Sequence, residues 1–236
     1  MTSSPSDFPA TSIEASNRTG ASSTDTTRRE SSSNSGTPTR ADDGEQMGFW
    51  ALVRADLRGM IIDRNRPRTV YALEIALKVA LYPRIRCVLL FRLAQLFWRW
   101  HLSPLSYFLM GRGLRIAGAE VHPGAQIGPG FCLVHSGGVV IGDRARIGAH
   151  FICFQGVTVG DSGRGDGQPT LGNWVTAGAG AKILGGISVG SGATIGANSV
   201  VLRDVPPGGV AVGAPARVAR VRPINEEGAP VSGVSG

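Results

Sequence analysis

The chain is 236 residues long, enough for one large domain or two small ones. Its three cysteines, Cys87, Cys132 and Cys153, are odd in number and lack CxxC spacing, which excludes a disulfide framework and a zinc knuckle. A net charge of +7 raises nucleic acid as a partner, but the surplus is concentrated in one segment, and a nucleic-acid partner is set aside.

Residues 1–46 are dominated by Ser, Thr, Asp, Gly and Pro, with Phe8 the only aromatic side chain. Such a stretch cannot bury enough apolar surface to offset the entropy of ordering, so it reads as a disordered tail. It lacks the basic start and apolar run of a secretory signal, and a cytoplasmic location is expected. Residues 47–118 read as an α-helical domain. Trp50, Leu52, Val53, Leu57 and then Val70, Leu73, Ile75, Ala76, Val79, Ala80 recur at helical intervals, and Pro67, Pro83 and Pro104 mark boundaries between three or four helices. Twelve Arg and Lys residues face only Asp56, Asp63 and Glu74 here, so the basic surplus belongs to this part and reads as a solvated face. The apolar run from Cys87 to Trp98 is broken by Arg92 and flanked by Arg84, Arg86 and Arg99, short of the ~20 residues a membrane span needs. It suits helix packing or an oligomer contact, with peripheral contact on an anionic bilayer as the other reading.

Over residues 119–222 the period changes. Aliphatic or small residues return every sixth position, most of them followed by glycine, as in Ile141-Gly142, Ile147-Gly148, Val159-Gly160, Val189-Gly190 and Ile195-Gly196. This period fits neither a helix nor a plain strand, which repeat at about 3.6 and 2. It fits a three-sided solenoid in which each hexad makes one short strand and one corner. Positions 171, 177, 183, 189, 195 and 201 keep one frame, shared by 141, 147, 153 and 159, while Val121, Ile127 and Leu133 form a second frame offset by two residues. An insertion therefore lies between Leu133 and Ile141. It contains His135 beside Gly137-Gly138, where the backbone can leave the regular path and aim a side chain outward. His122, before Pro123, reads as a turn residue, His150 as a corner residue and His101 as a helix end. Cys132 and Cys153 read as small core residues. Some three-sided solenoids, the γ-class carbonic anhydrases, hold zinc between subunits with two histidines close together in one segment; no such pair occurs here, and no metal is expected. Residues 223–236, rich in Gly, Pro and Ser, read as a flexible tail.

The strings Glu120-Val-His-Pro-Gly-Ala-Gln-Ile-Gly, Val-His135-Ser-Gly-Gly-Val-Val-Ile-Gly, Gln-Gly-Val-Thr-Val-Gly160, Ala-Gly-Ala-Lys182-Ile-Leu-Gly-Gly and Gly-Ala-Pro-Ala-Arg217 occur in that order. Together they resemble the serine O-acetyltransferase branch of the hexapeptide-repeat acyltransferases, closely over the C-terminal half and loosely over the helical segment. The resemblance implies a mainly β chain, a left-handed parallel β-helix preceded by a small α-helical domain. It also implies acetyl-CoA as co-substrate, and a homotrimer or dimer of trimers with sites between subunits. His135 matches the family's general base, and Glu120 falls where the family has an aspartate bonded to that histidine. Ala179 and Ala197 match close-approach positions for the pantetheine arm. Arg203 and Arg217 match positions near the nucleotide phosphates, with plain surface charge as the equal reading.

Three departures bear on the acceptor. Val134 stands where serine acetyltransferases have an aspartate, Gly167-Gln168 where they have an Arg-His pair, and Arg64-Asn65-Arg66-Pro67 only loosely echoes their Arg-Asp-Pro loop. A site that no longer pairs an acceptor's ionic groups should reject that acceptor. The loop Asp161–Thr170 also resembles that of relatives found with polysaccharide biosynthesis. The expected activity is therefore O-acetylation of a sugar or glycan precursor, with Val134 and Gln168 at the acceptor. L-Serine O-acetylation in cysteine biosynthesis is the alternative, and an inactive hexapeptide-repeat scaffold is the alternative of another class.

Overall fold

The computed structural model describes residues 47–60 and 68–231, with the backbone alone over 68–74. The expectations for residues 1–46, for Arg64-Asn65-Arg66-Pro67 and for 232–236 lie outside the described residues. Four helices come first: α1 (Phe49–Met60), α2 (Arg68–Leu81), α3 (Pro83–Arg99) and α4 (Ser103–Ala117). Pro83 and Pro104 sit in the first turns of α3 and α4, where a missing backbone N–H breaks no helical bond. α4 stops at Gly118, whose φ of 66° lies in the left-handed region that glycine enters without strain. α3 buries Ile85, Cys87, Val88, Phe91 and Ala94, and α4 is held to it by Ser106, whose hydroxyl donates to the Ala94 carbonyl at 2.5 Å. The apolar run of α3 is thus spent on packing. No helix among the described residues is long and apolar enough to cross a membrane.

The rest is a left-handed β-solenoid. Its first coil is β1 (Glu120–Val121), β2 (Gln126–Ile127) and β3 (Cys132–Leu133); its second is β4 (Val140–Ile141), β5 (Arg146–Ile147) and β6 (Ile152–Cys153). The third is β7 (Thr158–Gly160), β8 (Thr170–Leu171) and β9 (Thr176–Ala177), and the fourth β10 (Lys182–Leu184), β11 (Ser188–Val189) and β12 (Thr194–Ile195). β13 (Val200–Val201) and β14 (Gly209–Gly213) follow, and β15 (Ala216–Val221) returns antiparallel to β14. Parallel pairing makes three faces: β1-β4-β7-β10-β13, β2-β5-β8-β11 and β3-β6-β9-β12-β14. Strand alternation sends one residue of each pair inward. The first face stacks Val121, Ile141, Val159, Ile183 and Val201; the third stacks Leu133, Cys153, Ala177, Ile195 and Ala211, all at most 3% exposed. A second inward position lies two residues earlier, where Phe131 and Phe151 stack at 5.9 Å.

Two interruptions break the repeat before the fourth coil. One is the offset before Ile141. The other was hidden by the frame count: Val159 to Leu171 is one side of one coil, twelve residues where Ile141 to Ile147 takes six. The surplus equals one period, so it leaves the frame unchanged while extruding a loop at the corner between the first and second faces. Beyond β15, Ile224 bridges Pro230, and Ile224 and the Gly228 carbonyl pack on Gly192. The segment read from composition as a flexible tail therefore folds back on the solenoid as far as it is described.

Helices and solenoid share one hydrophobic core, running from Met60, Val88 and Phe91 into Phe131, Leu133 and the ladders above. A buried ion pair ties the junction. Arg92 is 1% exposed and Asp56 0%. Arg92 Nε and Nη2 donate to the two Asp56 oxygens at 2.7 and 3.1 Å, and its Nη atoms also donate to the Ile127 and Gly128 carbonyls, both at 2.7 Å, and to Gln95 Oε1 at 3.2 Å. The Phe131 N–H donates to Asp56 Oδ1 at 2.9 Å. These bonds offset the desolvation that an unpaired buried ion would suffer. His122 joins the same junction: its Nδ1 accepts from Gly124 N at 3.0 Å, and its ring meets Trp98 and Tyr107 edge-on at 5.3 and 5.6 Å.

Candidate active site

The edge between the third and first faces carries His135. Backbone bonds define what is equivalent from coil to coil there. Val134 N donates to Cys153 O as Phe154 N does to Ala177 O, and Gly156 N donates to Gly137 O as Gly180 N does to Gln155 O. Val134 therefore corresponds to Phe154, and Gly137 to Gln155. His135 and Ser136 have no counterpart: they are the insertion. The corner cannot take them into its hydrogen-bonded path, so they bulge outward. His135 is exposed, its ring tilted over Phe154 with centroids 6.4 Å apart.

The other expected residues divide between two edges. Ala179 and Ala197 follow Gln155 in the column beneath the His135 bulge, and Gly213 continues it at the β14–β15 turn. With coils about 4.8 Å apart, Ala179 lies ~10 Å along the edge from His135 and Ala197 about one coil further. Three successive coils thus present no side chain beyond a methyl group. Arg217, exposed on β15 opposite Val212, stands at the far end of this column. Arg203 is exposed on the other edge, between the first and second faces, and Gln168 lies on that edge too. The Gln168 amide is engaged: Oε1 accepts from Arg144 N at 3.0 Å, and Nε2 donates to Asp143 Oδ1 at 2.7 Å. Asn173 does the same one corner on, accepting from Ala149 N at 2.8 Å. Gln168 thus acts as a corner cap in the single chain.

Glu120 is half-buried on β1, on the first face beside the His135 edge. Among the described residues no hydrogen bond joins its carboxylate to His135, so the expected dyad is not closed in the single chain. The outward column above Glu120 runs through Val140, Thr158 and Lys182. Lys182 Nζ donates to Gly156 O at 2.6 Å and Thr158 Oγ1 at 3.0 Å, setting a cation on the face next to the His135 edge. Phe154 and Lys182 were not singled out from sequence. Phe154 had a signal, since Gly178 and Gly196 hold its place on later coils.

The thiols are poor nucleophiles. Burial pushes Cys87 up to about 11 and raises Cys153 further, and it raises half-buried Cys132 against the pull of Arg84. His150 stacks on Trp174 at 3.8 Å, both at positive φ, on the third edge of the prism. Burial holds its imidazole below the ordinary range, opposed by Glu227. Among the described residues no group of three His, Cys, Asp or Glu side chains is placed to hold a metal ion.

No family model matches the chain. Over 108 residues it is 40% identical to a serine acetyltransferase of Synechococcus elongatus, a match covering 46% of this chain and 42% of that protein. It is similar to the solved soybean serine acetyltransferase complexed with serine, at 38% identity and a TM-score of 0.64, covering 72% of this chain and 69% of that one. It is also similar to a serine acetyltransferase of Brucella abortus in complex with coenzyme A, at 33% identity and a TM-score of 0.63, covering 71% and 66%. The chain matches less than half the length of the curated relatives.

Proposed function

Because the chain belongs to the serine acetyltransferase family of hexapeptide-repeat acyltransferases, we propose that it transfers an acetyl group from acetyl-CoA to a hydroxyl, with L-serine as acceptor. The observation that carries the chemistry is His135, lifted out of the coil by a two-residue bulge at the head of a column of small residues. Its imidazole takes the hydroxyl proton as the oxygen attacks the thioester carbonyl. The new C–O bond forms as the C–S bond breaks, and the imidazolium returns its proton to the departing sulfur. Glu120 is a positioning residue for that ring. The strip Ala179, Ala197, Gly213 fits an extended pantetheine arm lying close to the backbone, with Arg217 at its end for phosphate.

Arg203 and Gln168 stand one face away from His135, so a site using all of them needs a second chain. That supports a homotrimer, or a dimer of trimers, with sites between subunits. A cytoplasmic location goes with this reading.

The sugar acceptor expected from Val134 and Gly167-Gln168 has no support among the relatives above, which are serine acetyltransferases; the soybean structure holds serine. It stays as a second reading on one observation, that Val134 and the engaged Gln168 amide offer no charge to a zwitterion. The deciding measurement is kcat/KM for L-serine against hexose acceptors. Efficient turnover of L-serine supports the main reading, and a preference for the sugar by orders of magnitude replaces it. His135→Ala should lower turnover about a hundredfold or more with coenzyme A binding retained. A variant within a few-fold of the parent would remove His135 from the mechanism, and wild-type protein inert on every acceptor would favour a scaffold.

A further inference from the structure

The outer side of α4 has no role in the reading above. Its inner side is buried against α3 at Ser106 and Gly113. The opposite side brings Leu105, Phe108, Arg112 and Arg115 onto one stripe, spaced at three and four residues as one helical face requires. Phe108 is 57% exposed, and the α3–α4 turn adds Trp100 at 60% and Leu102 at 47%. The stripe is apolar at its N-terminal end and basic at its C-terminal end. Between Glu74 and Glu120 the sequence holds six arginines and one lysine and no acidic residue. Of these arginines, Arg92 is buried on Asp56, in the junction with the solenoid.

We propose that this face, the α3–α4 turn with the outer stripe of α4, is a peripheral docking surface for an anionic lipid bilayer. Trp100, Leu102, Leu105 and Phe108 enter the interfacial zone, and Arg112 and Arg115 pair with lipid phosphates. Charge selects this occupant over a second copy of the chain. A two-fold contact through the stripe would bury four guanidinium groups with no carboxylate from either copy's segment to receive them, a costly desolvation. A headgroup layer supplies oxyanions at the depth where those side chains end. The inference does not depend on the acceptor, since the face lies on the helices and His135 on the coil edge.

The test is co-sedimentation of the full chain with vesicles of phosphatidylcholine alone, and with vesicles in which about a third of the lipid is phosphatidylglycerol. Binding to the second and not the first is expected, weakening as salt rises. Trp100→Ser with Phe108→Ser keeps every charge and alters only exposed side chains, and it should weaken binding at least about tenfold. Arg112→Gln with Arg115→Gln should weaken it by about thirtyfold. Light scattering of the same variants reads the competing occupant. If wild type ignores anionic vesicles, if the Trp100 and Phe108 pair binds as wild type does, or if these variants instead change the oligomeric mass, the face is not a membrane surface.

Discussion

In the solenoid, Ile183 lies between Val159 on one side and Val201 on the other, and the same kind of contact recurs on every coil. In the helical segment, Arg92 reaches Asp56, Gln95 and the Ile127 and Gly128 carbonyls, a set with no second instance among the described residues. Repetition spreads stability over many similar contacts, so the loss of one leaves neighbours that still pair in register. A unique polar junction has no such reserve. Removing one partner leaves the other as an uncompensated buried charge.

The largest expected effect follows at that junction. Asp56→Ala should cost about 4 kcal/mol, because Arg92 would stay buried without its carboxylate and the Phe131 N–H would lose its acceptor. Helical circular dichroism should be lost at lower denaturant than the β signal; a single joint transition would show that the shared core makes the two regions melt together. Ile183→Ala comes next, at about 3 kcal/mol from transfer and cavity. It should shift the whole β transition without splitting off the helices, and an effect exceeding that of Asp56→Ala would reverse the comparison.

The smallest effect tests a non-repeating contact inside the repeating part. Burial lowers the His150 pKa in the folded state, so the unfolded chain binds that proton more readily. The contribution is then fully present above the ordinary value of about 6.5 and is lost as pH falls through the lower folded value. His150→Asn tolerates the φ of 59° and should flatten the dependence of the denaturation midpoint on pH below about 6.5. An unchanged slope would assign the acid sensitivity elsewhere.

What could be read ahead of the structure followed periodicity. The inward ladders are legible because burial of one face of a short strand must repeat as often as the strand does. His135 is legible because two residues out of frame have to leave the coil somewhere. The loop after Gly160 escaped the same count because its surplus equals one period, and ahead of the structure it is marked by the family resemblance alone. Asp56 and Arg92 are 36 positions apart on different helices, and each looks like part of a solvated charged face until the helices are docked. The engagement of the Gln168 amide is not legible in the sequence, because only the position of Asp143 and Arg144 on the coil before it supplies its partners.

The sequence by itself determined the solenoid, its coil frame and the residue expelled from it, because these depend on spacing along the chain and on the need to bury aliphatic side chains. The tertiary structure decided which polar groups are buried together, which capping amides are engaged, and which apolar side chains are left outside. It placed His135 and Gln168 on different edges of one chain, and it turned the apolar run of α3 inward while leaving Phe108 and Trp100 exposed. Those outcomes depend on distances between segments far apart in sequence, where burial decides whether the same charge or ring is paired, capped or presented to a partner.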